Sequence, residues 1–167
     1  MIKIIKISVT VFMITLILSS CQSESKKDIN ELIKTLNSSY SYKFNINDFF
    51  AEENENIIYH YMTDKNSLLS LYSNKHGEII QCTLSSFDQK NENNYKLITD
   101  IGNIMTEESK KSFETMLKNA LETGKYSHNG WTVVFITNDL GATYIINQTT
   151  DYLNHNSLPT MKNHYQD

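Results

Sequence analysis

The sequence offers one candidate pair of a catalytic nucleophile and its general base. Cys82 is one of two cysteines, and as a nucleophile it would need a neighbouring base, for which His60 in the adjacent β region is the candidate. Cys82 also alternates with Ile80 and Leu84, and this spacing is typical of a small core residue on a strand. We therefore predict a buried Cys82 and no catalytic residues.

The side chains that could bind a metal ion do not converge in the sequence. A zinc site needs three or four ligands that meet at one point. The five histidines are spread over a strand, two predicted turns and the carboxyl-terminal tail: His60, His76, His128, His155 and His164. The acidic cluster Glu52, Glu53 and Glu55 lacks the alternating Asp and Asn spacing of a calcium loop. We predict that both sets are solvated and that the protein uses no metal and no cofactor.

Linear catalytic motifs are absent from the chain as well. It contains no GxSxG, GxGxxG, GxxxxGK[ST], HExxH or CxxC. All 15 basic side chains are lysines, against 19 acidic ones. An acidic chain without arginine lacks the charge and the guanidinium forks on which nucleic-acid binding and phosphate recognition depend. We predict a protein that is not an enzyme and does not bind nucleic acid.

Tyrosine is the residue type whose abundance suggests a function. Ten residues are tyrosines, and Tyr and Trp are favoured at protein interfaces because the ring buries area while its polar atom stays hydrated. Tyr59 and Tyr61 fall on one face of a predicted strand. We take them, with Tyr72 and Trp131, as candidate partner-binding residues. The alternative is that the tyrosine rings cover the edge of the core and that Trp131 lies within it.

The start of the chain has the pattern of an export signal. Lys3 and Lys6 are followed by an uncharged, mostly aliphatic run at residues 7–18 and then by Ser19 and Ser20. A run of about twelve residues is too short for a spanning helix, which needs about 20. It has the length of the apolar region of a signal peptide.

The segment Leu18-Ser19-Ser20-Cys21 resembles the lipobox of bacterial lipoproteins. In that family the cysteine receives a diacylglyceryl group, and a dedicated peptidase then cuts before it. The resemblance implies a signal peptide at residues 1–20, acylation of Cys21, and a protein anchored in the cell membrane on its exported face. If the host has two membranes, Gln22 implies sorting to the outer one. Stable anchoring takes two or more acyl chains, because one chain binds only marginally.

Removal of the signal peptide would change the charge of the chain. It leaves 13 lysines against 19 carboxylates, a net charge of −6. Anionic lipid headgroups would repel this charge, so the acyl chains and not a basic patch would hold the protein at the membrane. We divide the mature chain into a lipidated tether at residues 21–27, a single domain at 28–149 and a loose polar tail at 150–167.

Hydrophobic periodicity places the elements of that domain. An Asp28 cap begins a helix at residues 28–37, and strand spacing follows at 40–46, 57–63, 67–73 and 78–87. Next come a helix along residues 95–105 and a second helix that begins at a Thr106 cap and ends at Gly124. The turn Asn129-Gly130 precedes a hairpin of strands at 131–136 and 142–146. The apolar residues on both faces of this hairpin predict strands that are central or covered by helices.

This order of elements predicts an α+β fold. The expected architecture is an antiparallel β-sheet, made of a meander plus a closing hairpin, with the central helical pair packed on one face. The mature domain resembles small envelope lipoproteins of unknown function in the order of its elements, without a diagnostic motif.

Three functions remain open. We favour a lipid-anchored, non-catalytic cell-envelope protein that binds another protein. Its small size, its acidity and its lack of motifs resemble immunity and inhibitor lipoproteins, and an acidic inhibitor would bind a basic toxin faster through electrostatic steering. The alternatives are an accessory or assembly lipoprotein of an envelope complex, and an envelope enzyme whose site is assembled from dispersed residues such as His60 or Asp64.

Each of these functions has its own test. A secreted-toxin gene directly upstream would favour the inhibitor. Co-purification of a large membrane complex would favour the accessory protein. Turnover on cell-wall or lipid substrates, abolished by changing His60 or Asp64, would favour the enzyme.

Overall fold

The computed structural model describes residues 27–53, 56–88 and 91–149. The predicted signal peptide at 1–20, Cys21 and the predicted tail at 150–167 lie outside the described residues. Their assignments stay predictions.

Three α-helices and seven strands are formed in the described residues, in two consecutive blocks. The first block contains helix α1 (Ile29–Ser39), a 3-10 turn (Ile46–Asp48) and strands β1 (Phe50–Glu53), β2 (Ile57–Asp64), β3 (Ser67–Ser73) and β4 (Ile79–Ser86). The second block contains helices α2 (Glu92–Thr106) and α3 (Lys110–Thr123) and strands β5 (Lys125–His128), β6 (Trp131–Asn138) and β7 (Gly141–Gln148).

The strands form one antiparallel sheet in the order β1-β2-β3-β4-β7-β6-β5. A meander of the first four strands and a meander of the last three meet where β4 pairs with β7. The predicted α+β fold is therefore confirmed. The two outermost strands, β1 and β5, are only four residues long and were not predicted, because so short a run carries little alternation.

The helices begin and end where short polar residues and glycine allow it. The Asp28 carboxylate accepts a hydrogen bond from the Glu31 N–H at 2.9 Å, as a helix cap does. Gly124 ends α3 with a φ of 80°, a conformation that glycine adopts without steric cost. Both assignments confirm the predictions.

The core lies between the helices and one face of the sheet, which we call the inner face. Alternate strand residues such as Leu71, Cys82, Ile146 and Val133 occupy one row of this face and are all buried. Helices α2 and α3 cross so closely that a Cβ on Gly102 would lie 2.0 Å from Cζ of the buried Phe113. A glycine is therefore required at this crossing.

The predicted strand at residues 40–46 is wrong. Ser41 has a φ of 62°, outside the extended region, and within the described chain no strand pairs with this segment. The side chain of Asn37 instead binds both the N–H and the C=O of Phe44. The Tyr42 and Phe44 rings stack at 5.3 Å and pack against the core. The aromatic and polar residues alternate here because the aromatic rings pack against the core, although the segment pairs with no described strand.

The predicted Thr106 cap is also wrong. Thr106 is the last residue of α2, and its hydroxyl donates to the carbonyl of Gly102 at 2.7 Å. Helix α3 is capped by Ser109, whose hydroxyl oxygen accepts from the Ser112 N–H at 3.2 Å. Both residues are good caps by type, so the sequence alone did not distinguish them.

One end of the sheet lies near Lys27, the first described residue, and the other end lies far from it. The N–H of Ile79, at the start of β4, donates to the carbonyl of Lys27 at 3.0 Å. The first described residue therefore lies at this end, which we call the attachment end. The turns at residues 64–67, 86–88 and 138–141 lie at the opposite, distal end. An eight-residue strand separates the two ends by about 25 Å.

Candidate functional site

The four predicted partner-binding residues do not form one continuous surface. Tyr59 pairs with Leu71 and Tyr61 pairs with Leu69, so both tyrosines project from the inner face and pack against the core. Tyr72 pairs with Ile58 and projects from the opposite face.

Trp131 is also on the inner face, but it lies beyond the central strands, at the start of β6. It is half-buried and packs against the core. The tyrosine pair on β2 and this tryptophan therefore contribute to packing at opposite sides of the sheet, and their part in binding stays a prediction.

The other face of the sheet, the outer face, carries a row of side chains at the distal end. The strand pairing aligns one residue from each of five neighbouring strands in this row: Met62, Leu68, Ser85, Thr143 and Ile136. Helices α2 and α3 pack on the inner face, and none of the buried hydrophobic residues comes from this row.

This row forms the floor of a groove that we call the distal groove. Its large apolar lining residues are Met62, Leu68, Phe87, Ile136 and Leu140. The groove has a volume of about 380 Å³. The exposed fraction is 56% for Met62, 51% for Ile136, 78% for Phe87 and 74% for Leu140. Adjacent exposed apolar side chains of this kind mark interaction sites more often than isolated ones do.

Two hydrogen bonds and one close backbone contact hold the walls of the distal groove in place. The Phe87 N–H donates to the carbonyl of Asn66 at 3.0 Å, which ties the end of β4 to the β2–β3 turn. The Leu140 N–H donates to the Asn138 side chain at 2.9 Å. Gly141 packs on the end of β4, where a Cβ would lie 2.0 Å from the Ser86 carbonyl oxygen. Glycine at this position allows the β6–β7 turn to approach the backbone of Ser86 and Phe87.

The connections that border the distal groove carry charges of both signs. By sequence, the connections at this end carry three carboxylates and two ammonium groups: Asp64, Asp88, Asp139, Lys65 and Lys90. The groove thus has an apolar floor, and no charged side chain belongs to its described lining.

One sequence pattern bears on this groove: the apolar residues on the outer face of the β6–β7 hairpin. Apolar residues on both faces of the β6–β7 hairpin predicted central or helix-covered strands. β7 is central and Ile146 on its inner face is buried, as predicted. β6 also has a strand on each side, as predicted, but Ile136 on its outer face is 51% exposed.

The outer face also holds a Glu–His–Ser arrangement nearer the attachment end. His60 Nδ1 lies 2.9 Å from Ser70 Oγ, and His60 Nε2 lies 3.8 Å from Glu52 Oε2. Ser70 is only 5% exposed, and β3 has a strand on each side, so its backbone N–H groups are used in the two ladders. No described N–H group is therefore available beside Ser70 to stabilise an oxyanion. We interpret the contact as a cross-strand pair.

Cys82 and His60 do not approach each other. Cys82 occupies the inner-face row with Leu71, whereas His60 projects from the outer face opposite Ser70. Cys82 is fully buried, as predicted, and burial raises the pKa of its thiol far above the ordinary range. A thiol held protonated in this way is a poor nucleophile.

A buried carboxylate lies on the helical layer. Asp100 on α2 is completely buried, and its Oδ2 accepts hydrogen bonds from Lys96 Nζ at 2.8 Å and from the Tyr42 hydroxyl at 3.0 Å. Lys110 Nζ is 3.8 Å from the second oxygen, Oδ1, which accepts no hydrogen bond from the described residues. Burial raises the pKa of Tyr42, and the charge of Asp100 adds to the rise.

This carboxylate has a structural role. It has two lysines beside it, which balance its charge, and its oxygens are closed off from solvent. The neighbouring Tyr40 hydroxyl donates to Asn103, one turn further along α2. The cluster therefore ties the irregular segment after α1 to α2, and it offers no opening for a substrate.

Within the described residues, no group of three or more His, Cys, Asp or Glu side chains could hold a metal ion. In the same part of the chain, no helix is long and apolar enough to cross a membrane.

The described residues form an α+β fold of three helices and a seven-stranded antiparallel sheet, with α2 and α3 packed against one face of the sheet. Comparison with protein-family models, with curated proteins and with solved structures finds no match for this chain.

Proposed function

We propose that this protein is a lipid-anchored, non-catalytic cell-envelope protein that binds another protein through the distal groove. The observation that carries the proposal is the exposed apolar lining of the groove, of which Phe87 and Leu140 are more than 70% exposed. Exposing such side chains is unfavourable in water, and covering them with a partner recovers about 25 cal/mol for each Å² of apolar surface. A binding function accounts for an arrangement that the stability of the isolated domain does not require.

The anchoring part of the proposal depends on the amino-terminal sequence. Acyl chains on Cys21 would hold the domain through a tether of six residues, which spans at most about 20 Å. Lys27 lies at the attachment end of the sheet. With such an anchor, the distal groove would lie at the opposite end of the sheet, where a protein in the aqueous compartment could reach it.

Cross-linking in living cells tests the proposed binding. A photo-reactive amino acid replaces Leu140, in the Asn138-Asp139-Leu140-Gly141 turn of the groove. The matched control replaces His76 in the turn Asn74-Lys75-His76-Gly77 at the attachment end, where His76 donates the same backbone hydrogen bond to Asn74. We expect one discrete protein adduct from position 140 and none from position 76. Equal adducts from both positions, or none from position 140, would contradict the proposal.

The identity of the adduct separates the two binding alternatives. A secreted toxin or bacteriocin supports an immunity or inhibitor lipoprotein. A subunit of a large membrane complex supports an accessory or assembly lipoprotein.

The anchoring is tested separately by fractionation. The change Cys21→Ala removes the acylated sulfur and should release the protein from the membrane fraction. Membrane retention of this variant after removal of its signal peptide would contradict lipid anchoring.

The enzyme alternative rests on the contact between His60 and Ser70. Turnover on cell-wall or lipid substrates that is lost in Ser70→Ala, while cross-linking at position 140 is unchanged, would favour it. We expect no such turnover, because Ser70 is buried and lacks an oxyanion-binding N–H group.

A further inference from the structure

We propose that the distal groove is occupied by the chain's own tail, through residues 152–161, and that a partner has to displace this docking segment. Docking of the tail goes beyond the proposed function and needs no partner, whereas the displacement rests on that function. Three observations carry the inference: the face on which the chain leaves β7, the length of the tail, and the uncharged lining of the groove.

The chain leaves β7 on the outer face of the sheet, which is the face of the groove. The Thr149 N–H donates to the carbonyl of Gly130 at 2.7 Å, which extends the β6–β7 ladder. The Thr149 hydroxyl lies 3.2 Å from that of Thr132. Thr132 projects from the outer face, because it lies four residues before Ile136 on the same strand. The tail therefore begins on the outer face.

This starting point is at the attachment end. Strand β7 begins at the distal turn of residues 138–141, so Thr149, which follows its last residue, lies at the opposite end. An eight-residue strand spans about 25 Å. The tail must cover this distance along β7 to reach the groove.

The tail is long enough to do so. If two residues reverse the direction of the chain, the next seven, 152–158, span about 23–25 Å when extended. Pro159 favours an extended conformation at Leu158, because the proline ring clashes with a helical residue before it. Leu158 and Met161 are therefore the apolar residues that we expect in the groove.

The docking segment matches the groove in charge and polarity. Residues 152–161 include no Asp, Glu, Lys or Arg, and no charged side chain belongs to the described lining. The volume of about 380 Å³ is sufficient for a few large apolar side chains. Contact of Leu158 and Met161 with Met62 and Ile136 would remove apolar surface on both sides from water. Polarity alone predicted a loose tail, but the groove offers its apolar residues a place to dock.

Covalent attachment compensates for a weak intrinsic affinity. A short flexible linker gives a tethered segment an effective concentration on the order of 1 mM. If the detached segment bound with a dissociation constant of ~0.1 mM, the tethered segment would fill the groove in roughly nine molecules of ten. A partner would then bind about tenfold more weakly than to an open groove. A partner of nanomolar affinity would still displace the tail.

Methionine oxidation tests the docking in the full-length protein, held in phosphatidylcholine vesicles. Met62 on the groove floor is an exposed thioether that hydrogen peroxide converts to the sulfoxide. We expect Met62 to be oxidised several-fold more slowly in the unchanged protein than in Leu158→Ser/Met161→Ser, because the docked segment shields it. Equal rates in these two proteins would overturn the inference.

Two controls separate shielding from a change in the domain. Asn163→Ser/His164→Ser is a matched double change in the tail just outside the docking segment, and it should leave the rate at Met62 unchanged. Met116 in the core is 2% exposed and should be oxidised at the same slow rate in every variant. A control pair that accelerates Met62 as much as Leu158→Ser/Met161→Ser does would contradict docking through residues 152–161.

Introduced cysteines identify the segment that occupies the groove. Under mild oxidation, Leu140→Cys/Leu158→Cys should form a disulfide within one chain. The control His76→Cys/Leu158→Cys places the first thiol at the attachment end, where the tail starts and where a loose tail would reach it more easily. The native Cys82 is fully buried and does not compete. Equal yields from the two pairs would overturn the inference, and a disulfide between two chains would identify a second copy as the occupant.

The inference and the proposed function can fail independently. If the tail has to be displaced, Leu158→Ser/Met161→Ser should increase the protein adduct at position 140 in cells, and an unchanged adduct would contradict the displacement. If that adduct forms but Met62 is oxidised equally with and without the apolar tail residues, the function stands and this inference is wrong. If the tail shields Met62 but no protein is cross-linked in cells, the docking stands and the function fails.

Discussion

The crossing of α2 and α3 gives a prediction whose size can be worked out from the structure. In Gly102→Ala the new Cβ would lie 2.0 Å from Phe113 Cζ and 2.2 Å from Cε1, whereas ordinary contact begins at 3.4 Å. Phe113 is 0% exposed, so its ring cannot move into solvent. Either the Phe113 ring leaves its rotamer or the two helices move apart by roughly 1 Å or more.

Two opposing effects decide the change in the free energy of unfolding. Alanine favours the helical state over glycine by about 1 kcal/mol. Overpacking a filled core costs about 1–3 kcal/mol, and the overlap here calls for the upper end of that range. We expect a net destabilisation of about 2 kcal/mol, which lowers the melting temperature by roughly 6–10 °C for a domain of this size.

Urea unfolding with linear extrapolation measures this free energy. The double variant Gly102→Ala/Phe113→Leu provides a matched control, because leucine lacks the ring atoms that the new Cβ would meet. The two changes should be less destabilising together than the sum of their separate effects by about 1 kcal/mol. A Gly102→Ala variant as stable as the unchanged protein, or two effects that simply add, would refute the proposed packing.

Three further predictions concern the carboxylate, the groove and the thiol. Asp100→Asn removes a charge-assisted hydrogen bond and should cost about 1–3 kcal/mol in urea unfolding, whereas the exposed Asp139→Asn should stay within about 0.5 kcal/mol. Gly141→Ala should push the β6–β7 turn away from the Ser86 carbonyl, and so reduce cross-linking at position 140 as well as the melting temperature. Because burial raises the pKa of Cys82, a thiol reagent should modify it only after unfolding. Because the pKa of Cys82 is raised in the folded state, its contribution to stability is fully present below the ordinary thiol pKa. This contribution is lost as the pH rises above that ordinary value.

Most of the fold could be predicted from local sequence signals. The period of Phe113, Met116 and Leu117 identified α3, and Gly124 identified its end, because a helical stripe and a glycine stop depend on neighbouring residues only. Strands β2, β3 and β4 of the first meander and the closing hairpin of β6 and β7 were predicted for the same reason.

The errors arose where tertiary contacts outweigh local patterns. Alternating Tyr40, Tyr42 and Phe44 has the period of a strand, yet hydrogen bonds to Asn37, Asp100 and Asn103 hold this segment against α1 and α2. Those partners are distant in sequence or belong to another element. A period of two cannot distinguish rings that pack on a helix from rings on a strand.

The distal groove could not be derived from the sequence because it depends on strand order. Its row joins residues from five strands. Strands β4 and β7 are neighbours in the sheet, although 54 residues lie between Ser86 and Gly141 in the sequence. Apolar residues on both strand faces indicated that something covers each face. Only the position of the helices shows which face they leave open.

Cross-linking in living cells at positions 140 and 76 tests the central claim most directly. It compares two turns with the same Asn-x-x-Gly pattern at opposite ends of the sheet, in the membrane-attached, full-length protein. The account predicts a discrete adduct with one exported or envelope protein at position 140, lost when the groove is altered by Ile136→Asp, and no adduct at position 76. An absent adduct at position 140, or an equal one at position 76, would contradict it.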